Sequence, residues 1–208
     1  MKIQWMLILI LTLSNSVLAA PSKPAPRKPK EGQNEVAIRH HKEGLRHRDA
    51  AWVYEEKMSS TEGEERETYA RFIQDLYNRA LGEFAKATEQ DSTYYQAFSS
   101  LGYVKRKTGD MDGAMAAYNR ALTLNPNYAE AIEYRAEAYL IMGQVEKMKK
   151  AYGVLAALNR PHAARLLTFV TQWADGGEND ADMATSLRAW ASGQKEKLGE
   201  VKTFVEKW

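Results

Sequence analysis

Four histidines, His40, His41, His47 and His162, are the side chains of this chain with the most direct access to chemistry, as metal ligands or proton carriers. His40 and His47 lie seven residues apart and share a face if the segment is helical. No cysteine occurs anywhere, however, and no carboxylate stands at ligand spacing to complete a site. A metal-dependent protein or enzyme using His40, His41 and His47 is kept only as an alternative. The acidic run from Asp175 through Glu178 and Asp180 to Asp182 lacks the alternating donors and closing glutamate of a calcium loop, and reads as a capping linker. Serine, histidine and aspartate occur without spacing that would gather three of them, and no strand pattern precedes a glycine-rich phosphate loop. These residues therefore assign no catalytic residue, no metal ligand and no cofactor.

What such side chains could do depends on the elements carrying them, and the apolar periodicity is helical throughout. From Tyr95 to Tyr128 a 34-residue window places Phe98, Leu101, Gly102, Gly109, Ala114, Tyr118, Ala121 and Pro126 where a helix–turn–helix unit needs a bulky anchor, a close contact or a stop. Gly102 and Ala121 are small enough for the two helices to approach closely. Gly109 suits a left-handed cap, Asp110 an N-cap, and Asn125-Pro126-Asn127 a stop that also caps the next helix. Ala129 to Arg160 continues in register, with Ile132, Ala136, Tyr139, Gly143 and Tyr152 recurring one repeat length further on. Tyr77, Ala80, Phe84 and Ala87 stand one repeat length before Met111, Ala114, Tyr118 and Ala121, so an earlier unit ends near Gln90. Its first helix is expected over Glu35 to Met58, continuous or broken near Gly44 and Asp49. Thr61 with Glu64 has capping-box spacing for the second.

Downstream, Pro161 to Trp173 forms one helix and Asp180 or Asp182 opens a last one. Met183, Leu187, Trp190, Leu198, Val201, Val205 and Trp208 hold its spacing for seven turns. These two helices cap the open end of a repeat array. The competing reading makes Trp190, Phe204 and Trp208 a surface for self-association into a homo-oligomer.

The window resembles a tetratricopeptide (TPR) repeat. The resemblance implies an all-α, right-handed TPR-like solenoid of about three helix–turn–helix units with C-terminal capping helices. The divisions are residues 35–160 for the repeats (35–92 degenerate, 95–128 clear, 129–160 degenerate) and 161–208 for the cap. It also implies a non-catalytic scaffold binding a protein or peptide segment in a concave groove lined by the first helix of each unit. Carried onto this chain, that groove consists of Gln96, Ser99, Tyr103, Arg106, Lys107, Glu130, Glu133, Glu137, Leu140 and Ile141. Glu130, Glu133 and Glu137, spaced by three and four, would form a carboxylate stripe facing a basic or mixed-charge ligand. An exposed stripe of this kind would tolerate charge reversal. The alternative is that Glu133 and Glu137 pair with Arg106 and Lys107 between neighbouring helices.

The N-terminus bears on location. Lys2, an apolar run from Ile3 to Leu13 and the small-residue site before Ala20 have the order of a secretory signal peptide over residues 1–19. The run is short for a membrane span, although retention as an uncleaved inner-membrane anchor stays open. Residues 20–34 follow as a linker rich in proline and lysine, suited to weak contact with an anionic envelope surface. A cysteine-free exported chain reads as bacterial, with the periplasm its destination. Residues 31–208 carry 24 basic against 27 acidic residues, a net of −3. That balance argues against a nucleic-acid partner. The one basic cluster, Arg39 to Lys42 with Arg46, His47 and Arg48, alternates with Glu43 and Asp49 and reads as a solvated helix face.

Overall fold

The computed structural model describes residues 31–176 and 180–199, with side chains from Asn34 onward. The signal-peptide reading, residues 20–30 of the linker, Gly177 to Asn179, and Val201, Phe204, Val205 and Trp208 lie outside the described residues. Eight helices in sequence, and no strand, make up the described residues: α1 (Glu31–Ser59), α2 (Gly63–Gln90), α3 (Tyr95–Lys107), α4 (Met111–Leu124), α5 (Ala129–Ile141), α6 (Val145–Leu158), α7 (Arg160–Asp175) and α8 (Ala181–Leu198). Each odd helix packs antiparallel on the next even one, and the odd helices α3, α5 and α7 pack in succession, giving an all-α TPR solenoid. Among the described residues no helix is long and apolar enough to cross a membrane.

The packing of each pair follows from a small residue on the first helix and an aromatic on the second. Gly102 lies so close to Tyr118 that a Cβ there would stand 2.6 Å from its ring. Ala136 and Tyr152 hold the same positions one unit on, both buried. In the first pair the corresponding contact is Gly44 against the fully buried Phe84, with the same 2.6 Å approach. Gly44 is thus a packing residue inside an unbroken helix, and α1 already begins at Glu31, within the stretch read as linker. The repeat period hides this, because the interval from Gly44 to Phe84 is more than twice that from Gly102 to Tyr118. The extra length, about two dozen residues shared between the two helices, carries both beyond the repeat body as an overhang of about 18 Å at ~1.5 Å per residue.

Several caps depart from expectation. Thr61 does not cap α2; its hydroxyl donates back to the Lys57 carbonyl, and Glu62 occupies the N-cap without a side-chain bond. Asn125 accepts from the Asn127 amide within the turn, so Tyr128, not an asparagine, precedes α5. Asp110 does accept from Gly113 N at 2.9 Å, and Gly109 and Gly143 take the left-handed conformation that ends α3 and α5.

The last two helices repeat the arrangement of the pairs before them. Asn159 caps α7 through the His162 amide, and α7 packs on α5, α6 and α8. Leu166, Leu167, Val170 and Leu187 join Leu140, Met148 and Leu155 in one continuous core. Asp180 caps α8 through the Met183 amide. That helix does not run seven turns: it stops at Leu198, where Gly199 has φ 68°. The basic cluster on α1 is a solvated face only in part: Arg39, Lys42 and Arg46 are exposed, but His41 and Arg48 are buried. The Tyr94 hydroxyl lies 3.0 Å from His41 Nδ1, and Ser100 Oγ lies 3.0 Å from Nε2. This arrangement suits a neutral ring, and burial, then the charge of Arg48, lowers its pKa to about 4.

Candidate functional site

The inner face of the solenoid is built from α1, α3, α5 and α7, and α5 is buried nearly all round because α3, α4, α6 and α7 surround it. The carboxylates Glu133 and Glu137 therefore point into protein. Glu137 accepts from Arg106 at 2.5 Å, with the two side chains 10% and 6% exposed. Arg106 in turn lies 5.2 Å from the ring centre of Tyr103 and 5.8 Å from that of Phe169. Burial lifts the Glu137 carboxyl to about 7 despite the arginine beside it.

Glu133, one turn earlier, is held by α7 and not by α3. Arg165 donates to both of its oxygens, at 3.1 and 3.0 Å, and His162 Nδ1 lies 2.5 Å from Oε2. The two ion pairs thus cross successive gaps, α3 to α5 and α5 to α7. Lys107 pairs with Glu55 of α1 at 2.5 Å. Glu130 accepts from the Tyr128 hydroxyl. The remaining inner positions fall into two groups: Ser99, Tyr103 and Leu140 are buried, while Gln96 is half-buried and Ile141 is exposed at 42%. The expected open carboxylate stripe is therefore replaced by internal ion pairs, because α7 brings Arg165 and His162 against α5.

Towards the first pair the strip continues. Trp52 Nε1 donates to the Tyr103 hydroxyl at 2.6 Å, Arg48 stacks 4.2 Å from the Trp52 ring centre, and Tyr103 packs on Tyr134. Arg48, Trp52, Glu55, His162, Arg165 and Phe169 were absent from the sequence-derived groove. A signal for one of them existed: Arg106 and Glu137 are separated by 31 positions and Glu133 and Arg165 by 32, so nearly the same cross-unit spacing runs one helix further.

The histidines do not converge. His40 pairs with Glu83 at 2.6 Å, His41 is enclosed by Tyr94 and Ser100, His47 stands by Glu43, and His162 is on α7. No group of three or more potential ligands is placed to hold a metal among the described residues. Trp190, offered as part of a self-association surface, packs edge-on against Tyr152 of α6 with ring centres 5.2 Å apart. Phe204 and Trp208 lie outside the described residues.

Residues 102–143 match the TPR repeat family. No curated protein matches the chain. Two solved structures described as crystal structures of MamA align with it. One has 23% identity and a TM-score of 0.45, covering 71% of this chain and 88% of that one. The other has 22% identity and a TM-score of 0.46, covering 78% and 93%. Residues 102–143, across α3 to α5, thus carry a tetratricopeptide repeat, a unit that generally serves protein–protein interaction, and the helix pairs on either side stack through the same small-on-aromatic contacts.

Proposed function

We propose that the chain is a non-catalytic adaptor of the bacterial cell envelope, exported to the periplasm, which engages a peptide or protein segment on the concave face of its repeats. The observation that supports a binding role there is Ile141. It lies one turn beyond Glu137 on α5, 42% exposed, while its inner-face neighbours are packed or paired. With Met142 beside it 40% exposed, Ile141 offers an accessible apolar patch next to a paired polar surface, which suits an anchor for an apolar side chain of a ligand. Lys107 and Arg165 remain partly exposed at the rim, each already paired with a carboxylate, Glu55 and Glu133 respectively.

The test is affinity capture from the envelope fraction with the native chain and with Ile141→Glu as bait, the captured proteins being identified by mass spectrometry. A partner lost with the substitution, while the circular dichroism and melting of the bait are unchanged, supports the groove. Equal capture by both baits refutes it. Location is tested separately by osmotic-shock release and the mass of the released chain, which should begin at Ala20.

A further inference from the structure

The overhang of the first helix pair and a groove on the last two even helices are complementary in charge. From Glu56 to Phe72 the overhang carries five carboxylates and three cations. Among the described residues its polar side chains make hydrogen bonds and ion pairs only within the hairpin. Val53 and Phe72 are 52% and 48% exposed, Phe72 resting on Tyr54 of α1 with ring centres 5.5 Å apart. Glu65 and Phe72, seven apart on α2, lie on one face of it.

At the other end of the solenoid a shallow groove of about 430 Å³ lies between α6 and α8. The charged residues lining it are Lys149, Arg160 and Lys197, of which Lys149 also pairs with the exposed Glu146 at 3.1 Å. Its floor is Tyr152 and Trp190 in edge-on contact, with Gly153 between Lys149 and Ala156 along α6. Gly153 has no packing partner: a Cβ built there meets nothing within 4 Å. A glycine inside a helix costs about 1 kcal/mol relative to alanine, and at Gly44 and Gly102 a tight internal contact accounts for it. At Gly153, as at Gly82 and Gly193, the chain itself supplies no such contact; of the three, Gly153 lines the groove, where its bare backbone leaves a notch beside two aromatic rings.

We propose that the hairpin of one molecule seats in the α6/α8 groove of a second copy, Phe72 entering the notch at Gly153 and Glu64 and Glu65 facing Lys149, Arg160 and Lys197. The hairpin sits on the first helix pair and the groove between the last two, and α1 and α2 share no substantial contact with α6 or α8, so one molecule cannot fill its own groove. The interface is heterologous and head-to-tail, and its repetition gives open chains of molecules. It uses neither Ile141 nor the concave face, and it stands or falls independently of the groove-binding reading.

Sedimentation velocity of the full chain over a concentration series, at about 50 mM and about 500 mM salt, tests this; the Debye length falls severalfold over such a range. Expected is a weight-average mass that rises at least twofold with concentration at low salt and much less at high salt. Lys149→Glu with Lys197→Glu, and separately Glu64→Lys with Glu65→Lys, should each remain monomeric, and a 1:1 mixture of the two variants should regain the larger species. Gly153→Trp, filling a space that is empty in the monomer, should block association without loss of helicity. A native chain that stays monomeric throughout overturns the proposal. So does association indifferent to both charge reversals, which would move the contact to another surface, or a groove that binds only an unrelated protein.

Discussion

Replacing Gly102 by alanine adds one methyl group at the closest helix contact of the clear repeat, and the structure sets both sign and size. The new Cβ would stand 2.6 Å and 2.7 Å from two ring carbons of Tyr118 and 3.1 Å from the Ala114 carbonyl oxygen. Ordinary carbon–carbon contacts lie at about 3.5–4.0 Å, so α3 and α4 must part by about 1 Å or the ring must turn. Tyr118 is fully buried and packs on Tyr134, and it has no empty space to enter. Overpacking of this kind costs about 1–3 kcal/mol. Alanine recovers about 1 kcal/mol through its higher helix propensity, leaving a net loss of about 0–2 kcal/mol. A chain of this size loses about 2–4 °C in Tm for each kcal/mol. Urea titration followed by tryptophan fluorescence and far-ultraviolet circular dichroism measures the change. Gly153→Ala is the internal control: with nothing near its Cβ it should stabilise by about 0.5–1 kcal/mol. If Gly102→Ala stabilises as much as Gly153→Ala, the small-on-aromatic account of pair packing is wrong.

The ion pairs give a contrast between neighbouring glutamates. Glu137→Ala strands Arg106, whose side chain is 6% exposed, and should cost about 3–5 kcal/mol. Glu133→Ala leaves Arg165, 53% exposed and able to return to water, and should cost about 1–2 kcal/mol by the smaller penalty of a lost hydrogen bond to charge. Equal losses in urea titration would refute the asymmetry, and a well-folded Glu133→Lys, Glu137→Lys chain would restore the open-stripe reading. His41 makes stability pH-dependent: its folded pKa of about 4 lies below the ordinary 6.5, so the unfolded chain takes up the proton first. The contribution is complete above about pH 6.5 and is lost as pH falls towards about 4, in total roughly 3 kcal/mol at about 1.36 kcal/mol per pKa unit. Native chain and His41→Gln, compared by urea midpoint between about pH 7 and 5, should converge as the pH drops; parallel curves would show that His41 does not titrate in this window.

The amino-acid sequence alone determined the helical class, the pair spanning Tyr95 to Tyr128 and the places where α3, α4, α7 and α8 begin. The determinants there are local. Gly109, Asp110, Asn159, Pro161 and Asp180 act on backbone groups within a few residues, and a repeat period needs only counting. The length of the first pair was not legible in that period, because the overhang is inserted between Gly44 and Phe84, and only their contact shows that they are the same pair of positions as Gly102 and Tyr118. Thr61 illustrates the opposite limit: a capping-box spacing is necessary for the cap, but the hydroxyl was taken by the carbonyl of Lys57. The candidate groove was legible as a set of positions and misread as a surface. Whether Glu133 and Glu137 face a ligand or an arginine depends on how tightly α3, α5 and α7 close on one another, and on Arg165 and His162 arriving from a helix beyond the recognisable repeats. Burial, pairing and the charge left for a partner are properties of helices brought together in space, and there only the tertiary structure decides.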